Sequence, residues 1–274
     1  MNVSLVDTHA HLDVSAFDDD RAETITRAFD AGVGNIITVG TDLESSKKAI
    51  ELSEDYAGIY AAVGIDPQSA ATIDKADIAK LGEMARHAGA VAIGETGLDF
   101  YRDYSPKTAQ MQAFKWQLAL SAELELPIII HCRQAETEML DLLSSCISDY
   151  GNTQGQYRGV IHCFSGDGNT ANEYLRMGFY LSLGAYIGYP SSKGTHKVIR
   201  SIPRKRLLVE TDCPFLPPQS YRGKRNEPSY LPLTVKALAA IRNESYDDIA
   251  QLTTQNARRL FRLPEIIARK NKMT

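Results

Sequence analysis

An α/β fold closing as a TIM-type (β/α)8 barrel is predicted by three observations. Eight apolar runs rich in β-branched residues recur along the 274 residues, amphipathic stretches separate them, and chemically active polar residues stand where most of the runs end. The runs are continuous rather than alternating, as strands buried on both faces are. About eight βα units in roughly 250 residues match a closed parallel barrel, whose active face is built from the loops after the strands. A doubly wound open sheet is the runner-up. It is disfavoured because no GxGxxG or P-loop follows the first run and because the polar residues stand at too many different strand ends.

In order, the predicted strands are SLVDTH (4–9), NIITVG (35–40), IYAAVGI (59–65), AVAIGE (90–95), PIIIHC (127–132), GVIHCF (159–164), FYLSLG (179–184) and RLLVET (206–211). Between them, RAETITRAFDAG, LESSKKAIELSEDY, KTAQMQAFKWQLALSAELE, AETEMLDLLSSCISDY and ANEYLRMG repeat apolar residues at three and four, and a Gly often closes the segment. SYDDIAQLTTQNARRLF reads as a final helix capped by Ser245. No linker, low-complexity tract or short repeat marks a boundary, so residues 1–274 read as a single domain.

Composition narrows the function classes. Hydrophobic residues make up 43% and charged residues 23%, and mean hydropathy is −0.25, values of soluble globular enzymes. No segment approaches the roughly 20 apolar residues that span a bilayer, and the start MNVSLVDTHA lacks the basic and apolar regions of a secretory signal, which predicts a cytoplasmic protein. Cys132, Cys146, Cys163 and Cys213 form no CxxC pair and read as reduced thiols. A net charge of −4 argues against a protein that coats nucleic acid through its general field, while leaving room for a local basic pocket.

The chemistry is concentrated at the strand ends. The first strand supplies His9 and His11, which share a face because strand side chains alternate. The third ends at Asp66, the fourth at Glu95, the fifth at His131, the sixth at His162 and the eighth at Asp212. Four of the six histidines occupy such positions, while His87 lies in a helical stretch and His196 in a polar loop. In a barrel these groups share one mouth, where unaided carboxylates would repel one another. Divalent metal ions, which neutral imidazole and carboxylate oxygens bind, resolve that conflict. Cys132 and Cys163 follow His131 and His162, so their thiols should face away and pack between sheet and helices rather than serve as nucleophiles.

THAH, GETGLDFYRD, IIIHCR, GVIHCFSG, LLVETDCPFL and RGKRNEPSYL, in this order from residue 7 to about residue 260, together resemble the TatD family of metal-dependent deoxyribonucleases within the amidohydrolase superfamily. The resemblance implies a barrel with two divalent ions per subunit, drawn from Mg, Mn and Zn. His9, His11, Glu95 and Asp212 would hold one ion, and Glu95, His131 and His162 the other, with Glu95 as bridge. The family's GxHP reads GIDP here, which places Asp66 where a histidine is usual. That carboxylate would add negative charge beside a bound phosphate, or attract an extra cation.

The activity implied is hydrolysis of DNA phosphodiester bonds from 3' ends, in the 3' to 5' direction, with single strands among the expected substrates. A metal hydroxide would attack, with Asp212 taking the proton as general base. Arg222, Lys224 and Arg225 of RGKRN, with Gly223 allowing close approach, are expected to hold the phosphate backbone, joined by Arg102 and Arg133; Tyr101, Tyr104 and Tyr221 are available to stack on bases. The alternative is an amide or ester hydrolase of the same superfamily, such as a small-molecule amidohydrolase or an aminoacyl-tRNA deacylase. A non-catalytic barrel is disfavoured because all six implied ligand positions are filled.

Overall fold

A computed structural model describes residues 4–102, 104–151 and 157–264. Eight strands, β1 (Leu5–Ala10), β2 (Val33–Val39), β3 (Ile59–Val63), β4 (Ala90–Asp99), β5 (Ile128–Arg133), β6 (Gly159–Ile161), β7 (Tyr180–Leu183) and β8 (Leu207–Val209), pair in sequence order, each pair parallel. The seam between β8 and β1 is joined just past the end of β8. There Ala10 bridges Cys213, the His11 amide donates to the Cys213 carbonyl at 2.8 Å, and the Asp212 amide donates to the His9 carbonyl at 2.9 Å. The result is a nearly closed (β/α)8 barrel.

Every strand sends at least one side chain into a single buried cluster, among them Val6, Ile37, Ala62, Ala92, Ile129, Val160, Tyr180 and Leu208. This is the filled barrel interior. Around it run helices α1 (Arg21–Asp30), α2 (Leu43–Asp55), α3 (Lys75–Ala85), α4 (Lys107–Glu123), α5 (Glu136–Tyr150), α6 (Gly168–Arg176), α7 (His196–Ser201), α8 (Leu231–Arg242) and α9 (Tyr246–Phe261). Leu260 and Phe261 of α9 join the interior cluster. Several starts are set by side chains that accept from the first turn: Asp42 for α2, Asp74 for α3, Asp167 for α6, and Ser245 for α9 as its sequence predicts. None of the described helices is long and apolar enough to cross a membrane.

The boundaries depart from expectation in instructive places. β4 continues through GETGLD to Asp99, so Glu95 lies inside the strand rather than at its end. β6 stops at Ile161 and β8 at Val209, which leaves His162 and Asp212 on the connecting loops. α3 ends at Ala85, so His87 sits in the following turn, where its Nε2 lies 2.9 Å from Glu54. His196 opens α7 rather than occupying a loop, with Nε2 bonded to the Ile187 carbonyl. The sequence pattern did not lead to α8, LPLTVKALAAIR, which carries Pro232 in its first turn and directly follows a single helical turn at Pro228–Tyr230.

Two strands carry an extra residue where it matters. Between Asp7 and Ala10, β1 advances three positions while β2 advances two (Ile36 to Thr38). Between Ile93 and Thr96, β4 again advances three while β5 advances two (Ile128 to Ile130). Such a bulge reverses the alternation of side chains and re-aims them. Before it, Val6 and Ala92 face the barrel interior while Leu5 packs outside. Strict alternation would then send His9 and Glu95 outward; the bulges bring both to the mouth.

Candidate metal centre

Glycines make the β4 bulge possible. Gly94 and Gly97 flank the Glu95–Thr96 pair with φ of 137° and 146°, a region that L side chains rarely adopt. A Cβ on Gly94 would lie 2.6 Å from the Ile129 carbonyl oxygen, and one on Gly97 would strike the His131 carbonyl. GETG is thus a strand segment pressed against β5 with its one long side chain thrown into the mouth. Beyond it, two amides of α4 fix the adjoining loops. Gln117 spans the backbone N–H and carbonyl of Ile65 and donates to Thr96 Oγ1, and Gln110 does the same for the N–H and carbonyl of Asp99. Both are buried two turns apart on one helix face, a signal legible in KTAQMQAFKWQLAL but concealed by its amphipathic reading.

The two oxygens of Glu95 face different histidine pairs. Oε2 is 3.4 Å from Nε2 of His9 and 3.6 Å from Nε2 of His11, while Oε1 is 2.7 Å from Nδ1 of His131 and 3.0 Å from Nε2 of His162. Asp212 Oδ1 completes the first group at 3.8 Å from His9 and 3.6 Å from His11, whose Nε2 atoms are themselves 3.2 Å apart. Donors about 2.1 Å from a common divalent ion stand roughly 3.0 to 3.5 Å from one another. The spacings in both groups therefore approximate the edges of coordination polyhedra. His9, His11 and Asp212, and likewise His9, Glu95 and His162, each bring one ligand atom within 4.8 Å of the others.

The far nitrogens show how the rings are aimed. His11 Nδ1 donates to the Val39 carbonyl at 2.9 Å, which turns Nε2 towards the cluster. His131 Nε2 lies 3.4 Å from Asp99 Oδ2, and His162 Nδ1 lies 3.5 Å from Glu210 Oε1. These two contacts are longer than good hydrogen bonds but have the carboxylate–histidine arrangement that orients metal ligands. The same Glu210 oxygen accepts from the Cys163 amide at 2.6 Å, anchoring the turn after His162. Asp7 accepts from the Thr211 amide and hydroxyl, at 3.0 and 2.6 Å, and so locks β1 to the segment carrying Asp212. Asp7, Asp99 and Glu210 were missed in the sequence; each stands within two positions of, or on the same strand as, a residue that was noticed.

Electrostatically the cluster sets buried carboxylates against buried imidazoles. Burial opposes ionisation of Glu95, yet His162, His131 and His9 hold its carboxyl well below the usual range. Asp212 is likewise lowered against its burial by His11, His162 and His9. Burial works against charged imidazoles as well, but Asp212 and Glu95 lift His11 to about 9, and Glu95 and Glu210 lift His162 well above its ordinary value. The buried anions are thus matched by protons on imidazoles, a role that divalent ions would take over.

Other expected residues fare differently. Arg225 is committed within the protein: both terminal guanidinium nitrogens donate to Asp20 at 2.7 Å and the group lies over Phe17, so its charge is paired where a phosphate contact was expected. Gly223 adopts φ of 82° with open space around it, so it makes a left-handed turn rather than a close approach. Among the described residues no carboxylate lies within ion-pair distance of Arg102, Arg133, Arg222 or Lys224. Arg133 lies over Tyr101 and Arg222 over Tyr189. Tyr221 is stacked on Tyr230, Tyr104 is 74% exposed, and Asp103 of GETGLDFYRD lies outside the described residues. Asp66 follows β3 and its Oδ1 accepts from the Ser69 amide; burial, and Glu95 next, raise it to about 6. Cys132 packs against the outer core as expected, with burial raising its thiol to about 12; Cys163 instead lies in a left-handed turn at the mouth, its thiol raised well above the ordinary value by burial. Neither is a poised nucleophile.

The family model described as TatD related DNase matches residues 6–262. The chain belongs to the TatD-related DNase family. A Bacillus subtilis relative named YabD, a metal-dependent hydrolase, is 42% identical over 94% of this TatD-family chain and 99% of its own length. A Cronobacter sakazakii relative named 3'-5' ssDNA/RNA exonuclease TatD is 37% identical over 94% of this chain and 97% of its own. Among solved structures, the Escherichia coli TatD homologue YjjV superposes with a TM-score of 0.88 at 32% identity, covering 96% of this chain and 100% of that one. Family membership makes this chain a metal-dependent hydrolase.

Proposed function

We propose that this chain hydrolyses phosphodiester bonds of DNA or RNA, removing nucleotides from the 3' ends of single strands in the cytoplasm. The single observation that carries the reading is the division of the Glu95 carboxylate, one oxygen towards His9 and His11 and the other towards His131 and His162. That division suits two divalent ions sharing Glu95, with Asp212 completing the first set. Ions held there would supply Lewis acidity and a water of lowered pKa. The 3'-5' ssDNA/RNA exonuclease name of the Cronobacter relative supports the direction and the substrate class.

The protein's own groups divide the remaining work. Asp212 is ionised and fixed at the β8–β1 seam, so it accepts a proton from the attacking water and returns it to the leaving oxygen. Val39, Asp99 and Glu210 hold imidazole orientations. Arg102, Arg133, Arg222 and Lys224 present cations to the phosphates of the strand. Those cations favour a polyanionic substrate over an uncharged amide or ester.

The test is metal-stripped protein reloaded with Mg²⁺, Mn²⁺ or Zn²⁺ and given a 5'-labelled single-stranded oligonucleotide beside a panel of amides, esters and aminoacyl-tRNA. A ladder shortening from the 3' end is expected. Turnover of carbonyl substrates with intact oligonucleotides would overturn the reading in favour of an amide or ester hydrolase.

A further inference from the structure

We propose that Phe215 is a stacking platform for one nucleobase beside the scissile phosphate and that it confers preference for an unpaired strand. This inference rests on the nucleic-acid reading above. Phe215 stands three residues after Asp212, is 52% exposed, and places its ring centroid 5.9 Å from that of His11 in an edge-to-face arrangement. The ring therefore adjoins the candidate metal centre while about half of the residue's surface faces solvent.

A single exposed apolar side chain ordinarily calls for no explanation. This one is held in place. Its amide donates to the Asp212 carbonyl at 2.9 Å, and its own carbonyl accepts from Nδ2 of Asn226 at 2.7 Å. Asn226 is fully buried and also donates to the Thr211 carbonyl at 2.8 Å, while its amide donates to Pro214. The loop backbone is thus stitched from beneath, which fixes the position from which the ring projects. Several other aromatics after the strand ends have one face occupied, Tyr221 by Tyr230, Tyr189 by Arg222 and Tyr101 by Arg133, and Tyr104 is 74% exposed; what sets Phe215 apart is its ring contact with His11. Among the described residues no cation lies over Phe215.

A phosphodiester brought to the cluster carries a base on either side, and every base has a π-face, so an apolar ring there binds without sequence preference. A base inside a duplex is already stacked and paired, and must be extracted before it can use the platform. An unpaired end bears no such cost. Phe215 thereby converts an exposed ring into selection for single strands.

The experiment measures kcat and KM of the metal-loaded protein on 5'-labelled single strands that are intact or abasic at each of the last three positions in turn. Phe215→Ala should lower kcat/KM on the intact strand roughly 5- to 150-fold, chiefly through KM. With the base missing at one of the three positions, wild type should lose a similar factor and the substitution should add less than about 2-fold more. Phe215→Trp and Phe215→Tyr should restore activity, whereas Phe215→Leu, apolar but without a π-face, should not. Equal losses on all strands, or wild-type behaviour of Phe215→Leu, would overturn the platform. In a second arm, 2-aminopurine at the sensitive position reports stacking without turnover: its fluorescence should be quenched on binding to wild type and remain bright with Phe215→Ala. Quenching without cleavage would sustain the platform while refuting the nuclease; cleavage without ring-dependent quenching would do the reverse.

Discussion

Glu210 Oε1 lies 3.5 Å from Nδ1 of His162, reaching across from the end of β8 to the end of β6. The pair has the form of a carboxylate behind a metal-binding imidazole, and such outer partners typically contribute about 10- to 100-fold in metal affinity. Glu210→Gln should therefore weaken metal binding by about that factor, read by titration against a chromophoric chelator. Unchanged affinity would mean that His162 does not depend on this partner.

Asp212→Asn should keep most of its metal yet lose most of its turnover, by about 10²- to 10⁴-fold, because the amide oxygen can still face His9 and His11 but cannot accept a proton. Elemental analysis of the purified variant alongside its rate on oligonucleotides checks both halves. Near wild-type hydrolysis with metal present would remove Asp212 from the role of base.

Metal affinity should fall as pH is lowered. Below its pKa of about 9, metal-free His11 carries a proton, sustained against burial by Asp212 and Glu95, and an entering ion must displace it. Apparent affinity should drop about tenfold per pH unit for each proton displaced. Competition titrations at several pH values measure the slope. A flat profile would mean that metal entry displaces no proton from His11.

Asp66→His should lower KM for oligonucleotides near neutral pH, since it removes a carboxylate facing the cluster from beyond β3. Burial, then Glu95, raises the Asp66 carboxyl to about 6, so its charge is present above that pH and lost below it. The advantage of the variant should accordingly shrink in mildly acidic buffer, although it also forfeits the bond from the Ser69 amide. Michaelis curves for both proteins on either side of pH 6 distinguish the cases. Identical KM at both would place Asp66 outside the substrate path; lower activity of the variant at every metal concentration would point to a cation held by the native carboxylate.

The sequence by itself determined the number and order of strands and which residues meet at the mouth. Parallel strands buried on both faces must be written as uninterrupted apolar runs, and a (β/α)8 barrel brings their C-terminal ends together, so His9, His11, Glu95, His131, His162 and Asp212 could be grouped from position alone. Side-chain direction was decided elsewhere. Simple alternation would turn His9 and Glu95 outward, and the extra residue in β1 and in β4 that reverses this is defined only by the register of the neighbouring strand. The outer carboxylates belong to the same category: Asp7 meets Thr211 across 204 positions, and Glu210 meets Cys163 across 47. Arg225 looked like a phosphate contact in RGKRN until the fold placed Asp20 against both terminal guanidinium nitrogens. Hydrogen bonds and ion pairs depend on distance in space, which local pattern does not encode; apolar periodicity depends on secondary structure, which it does.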